Sequence, residues 1–296
     1  MTESLRDEAP RRAVRSVPPA VSSFDACITL LARVEEIPRT VTGALTFDDG
    51  LVLVERQRVC WAITSTMGAY LTDLLCENEA TSERRRDIED VYRSCKKSGA
   101  RLSESLLESG LISEVRLRLA LREHNCEAIV RLSQTLATPR LRQLGKGGFD
   151  DRFSLTPVEL LAAIGARSGA ARAQTAADEL AGCLVEDSTG VAFVHDSHGG
   201  APTLLAAATR CELPVNQVLT LCRWASDFLS LGIIVDSNTS VASASRNSNT
   251  AIVTWRSDDV GFAALCATRA ASARLLDRVG RRSRELRNAT PRGASP

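Results

Sequence analysis

One segment decides how this chain is expected to fold: VTGALTFDDGLVLVERQRVCWAITSTMGAYLTDLL, residues 41–75. Apolar residues alternate with other residues on both sides of an Asp-Asp-Gly turn, which is the pattern of two half-buried β-strands. The pair Asp49-Gly50 is expected to supply the positive backbone φ angle of a tight hairpin. The second strand is expected to run across residues 51–63, and an amphipathic helix follows it.

Nothing in this unit has the pattern of a catalytic nucleophile or a metal site, which favours a scaffold that binds partners. The unit resembles the PatA N-terminus-like (PATAN) domains of bacterial signalling proteins, through Gly43-x-Leu45-x-Phe47, Asp49-Gly50, Val59-Cys60-Trp61-Ala62 and Ala69-Tyr70-Leu71-x-x-Leu74-Leu75. Those domains carry no known chemistry and sit beside regulatory modules. The resemblance therefore implies a regulatory role without catalytic residues.

Length and composition favour an ordinary soluble protein. The chain has 296 residues, enough for about two domains of ~150 residues each. A net charge of +1 gives no electrostatic argument for nucleic acid or a membrane surface. The first residues lack the apolar stretch of a signal peptide, and no apolar run of about 18 residues could span a bilayer. We therefore expect a cytoplasmic protein with no membrane or nucleic-acid partner.

Nine cysteines are spread singly along the chain, mostly in apolar stretches and without a CxxC pair. A reduced protein with small buried thiols explains this spacing better than a disulfide framework does. The odd number and the missing ligand spacing also argue against zinc. We expect free thiols without metal.

Two other motifs are weak candidates for a metal or phosphate site. His195-Asp196-Ser197-His198 places two imidazoles and a carboxylate together, but no further ligands follow at a usual spacing, although Cys183 could lie on a neighbouring strand. Gly145-Lys146-Gly147-Gly148 lacks the GxxxxGK[ST] pattern of a phosphate loop. A solvated strand end and a surface loop are favoured, so no metal or cofactor site is predicted.

The N-terminal half is expected to be mostly helical outside the hairpin. Residues 1–23 are rich in Pro, Ser, Arg and Ala and are expected to be disordered. Residues 24–137 are assigned to the PatA N-terminus-like domain with a helical extension. Its helices are expected at about 24–36, at 82–97 ended by Gly99, at 102–109, and from the capping residue Ser113 to about 134.

Residues 138–169 are predicted to form a loop and a linker helix. The part 138–152 contains Pro and several Gly but no buried stripe, which predicts a protease-sensitive surface loop between two folded halves. Thr156-Pro157-Val158-Glu159 has the pattern of a capping box with Pro at the first helical position, so a helix should begin there.

Residues 170–288 show a different pattern, and residues 289–296 are expected to be a disordered tail. The apolar patterns first predict a helix at about 170–181, strands at 183–187 and 191–195, and an inserted loop and broken helix across 199–213. They then predict a helix at 214–231, strands at about 232–244, 249–256 and 260–267, and a helix at 268–288. The order αββαβββα resembles the roadblock family, with Leu184-Val185-x-Asp187-x-x-Gly190-Val191-x-Phe193-Val194, Ala225-Ser226-Asp227-Phe228-Leu229 and Ala263-Ala264-Leu265.

The roadblock resemblance implies an α/β/α sandwich around an antiparallel sheet that pairs with a second copy. Several bacterial members of that family regulate small Ras-like GTPases. On the helix 214–231, most apolar residues fall on one stripe with helical spacing. Leu221 and Phe228 lie off that stripe, so they are predicted to face a partner in a homodimer.

A candidate ligand site lies in the helical extension. Arg101-Leu102-Ser103-Glu104-Ser105-Leu106-Leu107, followed by Gly110-Leu111-Ile112, resembles the N-terminal module of type II secretion ATPases, some of which bind cyclic di-GMP. The resemblance implies that a nucleotide would contact Arg101, Leu102, Leu106 and His124. The chain departs from that pattern at Ser103 and His124, where Gly and Gln are expected, and it has one copy where nucleotide-binding versions have two. Simple core packing stays open as the alternative.

Together these patterns predict an α+β protein with a small β-hairpin and helix unit, a helical extension and a C-terminal roadblock-like sandwich. The favoured function is a non-enzymatic cytoplasmic signalling adaptor that acts through protein–protein association, as a homo-oligomer and with a small Ras-like GTPase as one partner class. The alternative is a second-messenger receptor that uses the hairpin of Arg101 and His124. No catalytic residue is predicted.

Overall fold

The computed structural model describes residues 21–67, 71–76, 82–135, 138–145, 148–194, 202–208, 212–230, 242–245 and 251–289. They form a mixed α+β fold with two antiparallel sheets, which confirms the predicted class. None of the helices in these ranges combines the length and the apolar character that crossing a bilayer would need.

Four strands form the first sheet: β1 (Thr42–Thr46), β2 (Gly50–Glu55), β3 (Arg58–Thr64) and β4 (Arg140–Gln143). Their order across the sheet is β3-β2-β1-β4. The turn between β1 and β2 lies where it was predicted, but Gly50 does not have the expected positive φ. Glycine is required there because a Cβ would lie 2.2 Å from the carbonyl oxygen of Ile63.

The second predicted strand, 51–63, is two strands. β2 and β3 are separated by a tight turn in which Arg56 and Gln57 have φ angles of 51° and 62°. Such angles are unfavourable for residues with a side chain, and Arg-Gln carries no turn signal. Remote contacts hold this turn: Gln57 donates to the carbonyl of Glu35 at 2.5 Å, and Arg56 pairs with Asp151 at 2.8 Å.

The strand β4 lies within residues 138–152, so the prediction of a plain surface loop is wrong for residues 140–143. It pairs with β1, for example at Leu45 and Leu141. All four of its residues are exposed. An edge strand of this kind has no alternating pattern, because neither of its faces is buried, and its partner is remote in sequence.

The opposite edge of the sheet, β3, is covered. Val59 exchanges two backbone hydrogen bonds with Leu155, at 2.8 and 2.9 Å. Further along, the amide of Ala62 donates to Oδ1 of the fully buried Asn125 at 2.8 Å. These contacts satisfy backbone groups that an open edge would leave for another chain.

Five helices accompany the first sheet in the described part of the chain: α1 (Val21–Glu36), α2 (Leu71–Cys76), α3 (Ser82–Ser98), α4 (Leu102–Glu108) and α5 (Glu114–Ser133). They lie where they were predicted, except that α1 begins inside the range expected to be disordered. Two predicted helix ends are confirmed: Ser113 caps α5 with its side chain, and Gly99 follows α3 with a φ of 74°. α5 packs on β3, and α1 packs on α5.

The helix α6 (Pro157–Ala166) is a core helix and not a linker. Its predicted capping box is confirmed, since Thr156 and Glu159 bond reciprocally. Apolar residues cover most of its circumference, and such helices are buried. The main core cluster contains α6 side chains together with residues of both predicted domains, among them Leu31, Leu161 and Val191.

The second sheet has five strands: β5 (Ser188–Val194), β6 (Thr203–Ala207), β7 (Ala242–Ser245), β8 (Ala251–Ser257) and β9 (Val260–Cys266). Their order is β6-β5-β9-β8-β7. The helices α7 (Ala170–Cys183) and α9 (Arg269–Ala289) pack on one face, and α8 (Val215–Ser230) packs on the other. The elements follow the predicted order αββαβββα.

The predicted hairpin of strands 183–187 and 191–195 is wrong in its bounds. Residues 183–187 end α7 and form a turn with Asp187 at a φ of 64°, and β5 is a single strand that starts at Ser188. Its partner β6 lies inside 199–213, which was expected to be a loop and a broken helix. Because helices cover both faces of the second sheet, the apolar run of β5 carries no alternation that would mark its ends. The predicted strand 232–244 and the tail 289–296 lie mostly outside the described residues.

Candidate functional site

A cavity of about 540 Å³ lies between the first sheet and the hairpin formed by α4 and α5. We call it the Arg101 cavity. Large apolar side chains supply much of its wall, including Leu53, Trp61, Leu102, Leu121, Phe149 and Phe153. Cavities of this size and character are typical of small-molecule sites.

The sheet side of the cavity is built by neighbouring strands. Leu53 on β2 pairs in register with Trp61 on β3, and residues opposite each other in an antiparallel pair point to the same face. Val52 and Val54 point to the other face, where they are fully buried in the main core. The cavity therefore occupies the face of the sheet that the main core leaves uncovered.

Two of the four predicted ligand residues line the cavity. Arg101 and Leu102 stand at the N-terminus of α4. The Arg101 guanidinium donates to Glu104 at 2.8 Å. It also lies close to the loop at Gly148, where an added Cβ would be 3.1 Å from Nη2 of Arg101. The predicted cation is thus at the cavity wall, and it already has a carboxylate partner.

The other two predicted ligand residues do not line the cavity. Leu106 is fully buried in the helical core cluster beside Leu117. His124 is only 1% exposed and lies on the face of α5 that packs on β3, against Trp61. Burial lowers the pKa of His124 to about 4, although the charge of Glu127 and the nearby backbone oppose the shift. His124 is therefore a neutral packing residue at pH 7.

The carboxylates around the cavity also have partners. Asp150 accepts a hydrogen bond from Arg152 at 2.6 Å, and this bonding lowers the pKa of Asp150. Glu55 accepts the amide of Phe149 at 3.1 Å and the hydroxyl of Thr42 at 3.3 Å. These contacts fix the loop that carries Phe149 against the sheet.

Sequence reasoning missed the aromatic side of this cavity. Phe149 comes from the segment 138–152, which was predicted to be a plain surface loop, and Phe153 follows directly after that segment. They reach the cavity because the chain returns to the edge of β3 at Leu155. Two Phe residues four positions apart among polar neighbours were the available signal.

A second depression, of about 560 Å³, lies between α5, α6 and α7. We call it the α5–α7 groove. Its floor contains small residues such as Ala162, Ala166 and Ala173. Along one rim, Val115 and Leu119 of α5 are 70% and 39% exposed. Because residues four apart share one face of a helix, these two side chains form a continuous apolar surface beside the groove.

A third cavity, of about 660 Å³, lies where α1, α6 and α8 meet the β2–β3 turn. Its polar groups hold these elements together. Glu35 accepts the amide of Val215 at 2.9 Å and so caps α8, while burial raises the pKa of Glu35. Arg39 donates to Gln57 at 3.0 Å. These contacts join α1 to α8 and to the β2–β3 turn.

The two predicted dimer residues lie on α8, and both are partly exposed. Leu221 packs against the margin of the main core. Phe228 contacts Trp224, with ring centroids 5.4 Å apart. Trp224 is also half-buried and packs against the main core, so the aromatic pair joins the core to the surface of α8.

Within the described ranges, no group of three or more His, Cys, Asp or Glu side chains is placed to hold a metal ion. Residues 195–198, the weak metal candidate, lie outside those ranges, as do Lys146 and Gly147 of the glycine cluster. No disulfide joins the cysteines that the structure describes, and most of them are buried.

No family model, no curated protein and no solved structure matches this chain. The PatA N-terminus-like and roadblock assignments stay resemblances that rest on the quoted motifs and on the element order. Function has to be inferred from the cavity, the groove and α8 themselves.

Proposed function

We propose that this protein is a non-enzymatic cytoplasmic signalling adaptor that acts through reversible protein–protein association. The observation that carries the proposal is the α5–α7 groove, where the exposed Val115 and Leu119 border an apolar floor. Apolar surface that is continuous with a groove between two helices suits an amphipathic partner helix, whose apolar face it would cover.

Self-association through α8 belongs to the same proposal. Trp224 and Phe228 supply accessible aromatic surface, and aromatic residues dominate the binding energy of many interfaces. A small Ras-like GTPase is the partner class supported by the roadblock resemblance, which rests on the order of elements from α7 to α9.

The test is a quantitative affinity capture from the cells that produce this protein. Tagged wild type is compared with the double variant Val115→Asp/Leu119→Asp and with the control variant Leu141→Asp. The side chain of Leu141 is 52% exposed on β4, away from the groove. Partner proteins, a GTPase among them, should be retained by wild type and control and lost from the double variant. Equal recovery by all three would contradict the role of the groove, and the lack of any specific partner would contradict the adaptor function.

A small-molecule receptor is the second candidate, supported by the position of Arg101 and Leu102 on the cavity wall. The sequence resemblance implies a cyclic dinucleotide as ligand. The cavity supports this ligand less well, because Leu106 and His124 do not line it and Arg101 pairs with Glu104. Titration calorimetry with cyclic di-GMP tests this version. Binding heat with wild type that is absent with Arg101→Gln would support a cyclic di-GMP receptor. The absence of binding heat with wild type would contradict it.

A further inference from the structure

We propose that the Arg101 cavity binds a small, uncharged, planar aromatic molecule. The proposal rests on the receptor function given above as the second candidate, and it replaces the ligand chemistry that the sequence implied. Three properties of the cavity carry it: the aromatic wall, the pairing of the surrounding charges, and the neutral polar groups inside.

The aromatic wall suits a flat ring. Trp61, Phe149 and Phe153 all line the cavity, in a chain whose aromatic content is only 4%. His124 covers one side of Trp61, and the Arg152 guanidinium lies 5.4 Å from the ring centre of Phe153. These contacts hold two of the rings in place, and fixed aromatic rings favour offset or edge-on stacking with a ligand ring.

Phe149 is the ring at the entrance. It is 38% exposed, unlike the 5% exposed Phe153 deeper in the wall. Its backbone amide is fixed by Glu55 at 3.1 Å. A large apolar side chain held in solvent at the mouth of an apolar cavity gains buried surface only when a ligand covers it.

The surrounding charges offer little to an anion. Among the described residues Arg101 is the one cation that lines the cavity, where Asp150 carries the opposite charge, and Glu104 accepts a hydrogen bond from Arg101 at 2.8 Å. Asp150 is paired with Arg152 at 2.6 Å. A cyclic dinucleotide carries two phosphates, and each would need unpaired donors or cations to replace water.

Apart from Arg101 and Asp150, the polar side chains that line the cavity are uncharged. Ser103 contributes a hydroxyl group that could orient a ligand by hydrogen bonding. The hydroxyls of Thr42 and Ser154 already donate to Glu55 and to the carbonyl of Asp151, so they could only accept a hydrogen bond from a ligand. Cys60 also lines the cavity, and its pKa is raised to about 12, first by burial and then by the negative charge of Glu55. The surroundings of this thiol therefore oppose a negative charge, which agrees with a neutral ligand.

Two dyes of similar shape and different charge test the proposal on the full-length chain. N-phenyl-1-naphthylamine is a neutral aromatic whose emission rises in apolar sites, and 8-anilino-1-naphthalenesulfonate carries a sulfonate on the same framework. The neutral dye should bind one molecule per chain, and the sulfonate should bind at least about tenfold more weakly because Asp150 and Glu104 offset the charge of Arg101 beside the cavity.

Variants locate the binding site. Phe149→Ala should weaken binding of the neutral dye at least about fivefold, because it removes the ring at the entrance. Tyr92→Ala is the matched control, since Tyr92 is 45% exposed on α3 and does not line the cavity. It should leave the affinity unchanged. Circular dichroism checks that each variant is folded.

The outcomes separate this proposal from the receptor function. If the neutral dye does not bind, or binds Phe149→Ala as well as wild type, the proposal is overturned. If cyclic di-GMP displaces the dye and Arg101→Gln abolishes that displacement, the ligand chemistry proposed here is wrong and the receptor function stands. If neither dye nor cyclic di-GMP binds, both fail.

Discussion

The imidazole of His124 lies against the indole of Trp61, with ring centroids 4.2 Å apart and 33° between the ring planes. Trp61 lines the Arg101 cavity, and His124 belongs to α5, the helix that packs on β3. The pair therefore connects the wall of the cavity to the core behind it. Burial opposes a charge on this imidazole, so the pair is favoured only while His124 is neutral.

Acid should destabilise the protein through His124. Its pKa is lowered to about 4 in the fold, from 6.5, so between these pH values the unfolded chain binds a proton that the folded protein does not. The contribution of His124 to stability is complete above pH 6.5 and falls as the pH falls towards 4, with a loss of about 2 kcal/mol at pH 5. Urea unfolding of wild type and His124→Phe at neutral pH and at about pH 5 measures this difference. Equal losses in both proteins would contradict it.

Removing Glu159 should cost about 3 kcal/mol of stability. Its carboxylate lies 2.9 Å from Arg118 and 3.7 Å from Arg58, and it is only 11% exposed. Glu159→Ala would leave both guanidinium groups without this shared counter-charge and would open the capping box. Glu104→Ala is the control: this carboxylate pairs with Arg101 but is 46% exposed, so the change should stay below about 0.5 kcal/mol. Urea unfolding measures both variants. Similar losses in the free energy of unfolding would contradict the stabilising role of Glu159.

A methyl group at Gly165 should separate α6 from the second sheet. A Cβ there would lie 1.9 Å from the carbonyl oxygen of Leu204 on β6. We expect Gly165→Ala to destabilise the protein by more than about 2 kcal/mol. Gly280→Ala in α9 is the control, because nothing lies within 4 Å of an added Cβ and the change should stabilise by up to about 1 kcal/mol. If Gly165→Ala leaves the free energy of unfolding unchanged, α6 does not pack on β6 in this way.

Self-association should depend on the aromatic pair of α8. Phe228→Asp places a charge beside Trp224 at the proposed interface, and the association constant should fall at least about tenfold. Leu221→Asp/Phe228→Asp should be monomeric, but Leu221 also packs on the core, so circular dichroism must show that the double variant is folded. Sedimentation velocity at micromolar concentration is the measurement, with Tyr92→Asp as control. A monomeric wild type would contradict self-association through α8.

Features that depend on neighbours in sequence could be predicted. The caps at Ser113 and Thr156 and the helix end at Gly99 involve contacts within about four residues, so the sequence displays both partners. The α+β class and the order of elements from α7 to α9 also followed from periodicity.

Features that depend on remote contacts could not be predicted. The turn at Arg56 and Gln57 is held by Glu35 and Asp151, and no local signal marks it. β4 exists because β1 pairs with it, and α6 is a core helix because α1, α5 and β6 pack around it.

The candidate site shows the same limit. The motif that begins at Arg101 predicted a ligand site, and Arg101 and Leu102 do line the cavity. Tertiary packing decides which side of α5 faces β3, and it places His124 behind Trp61. The ring at the cavity entrance, Phe149, comes from a loop whose path depends on the contact between Val59 and Leu155.

Association at the α5–α7 groove is tested most directly by photocrosslinking in the cells that produce this protein. Benzoylphenylalanine replaces Val115, which is 70% exposed at the groove, or Tyr92, which is 45% exposed outside it. We expect irradiation to give a covalent adduct of discrete mass from position 115 and none from position 92. Adducts from both positions, or from neither, would contradict a partner site at this groove.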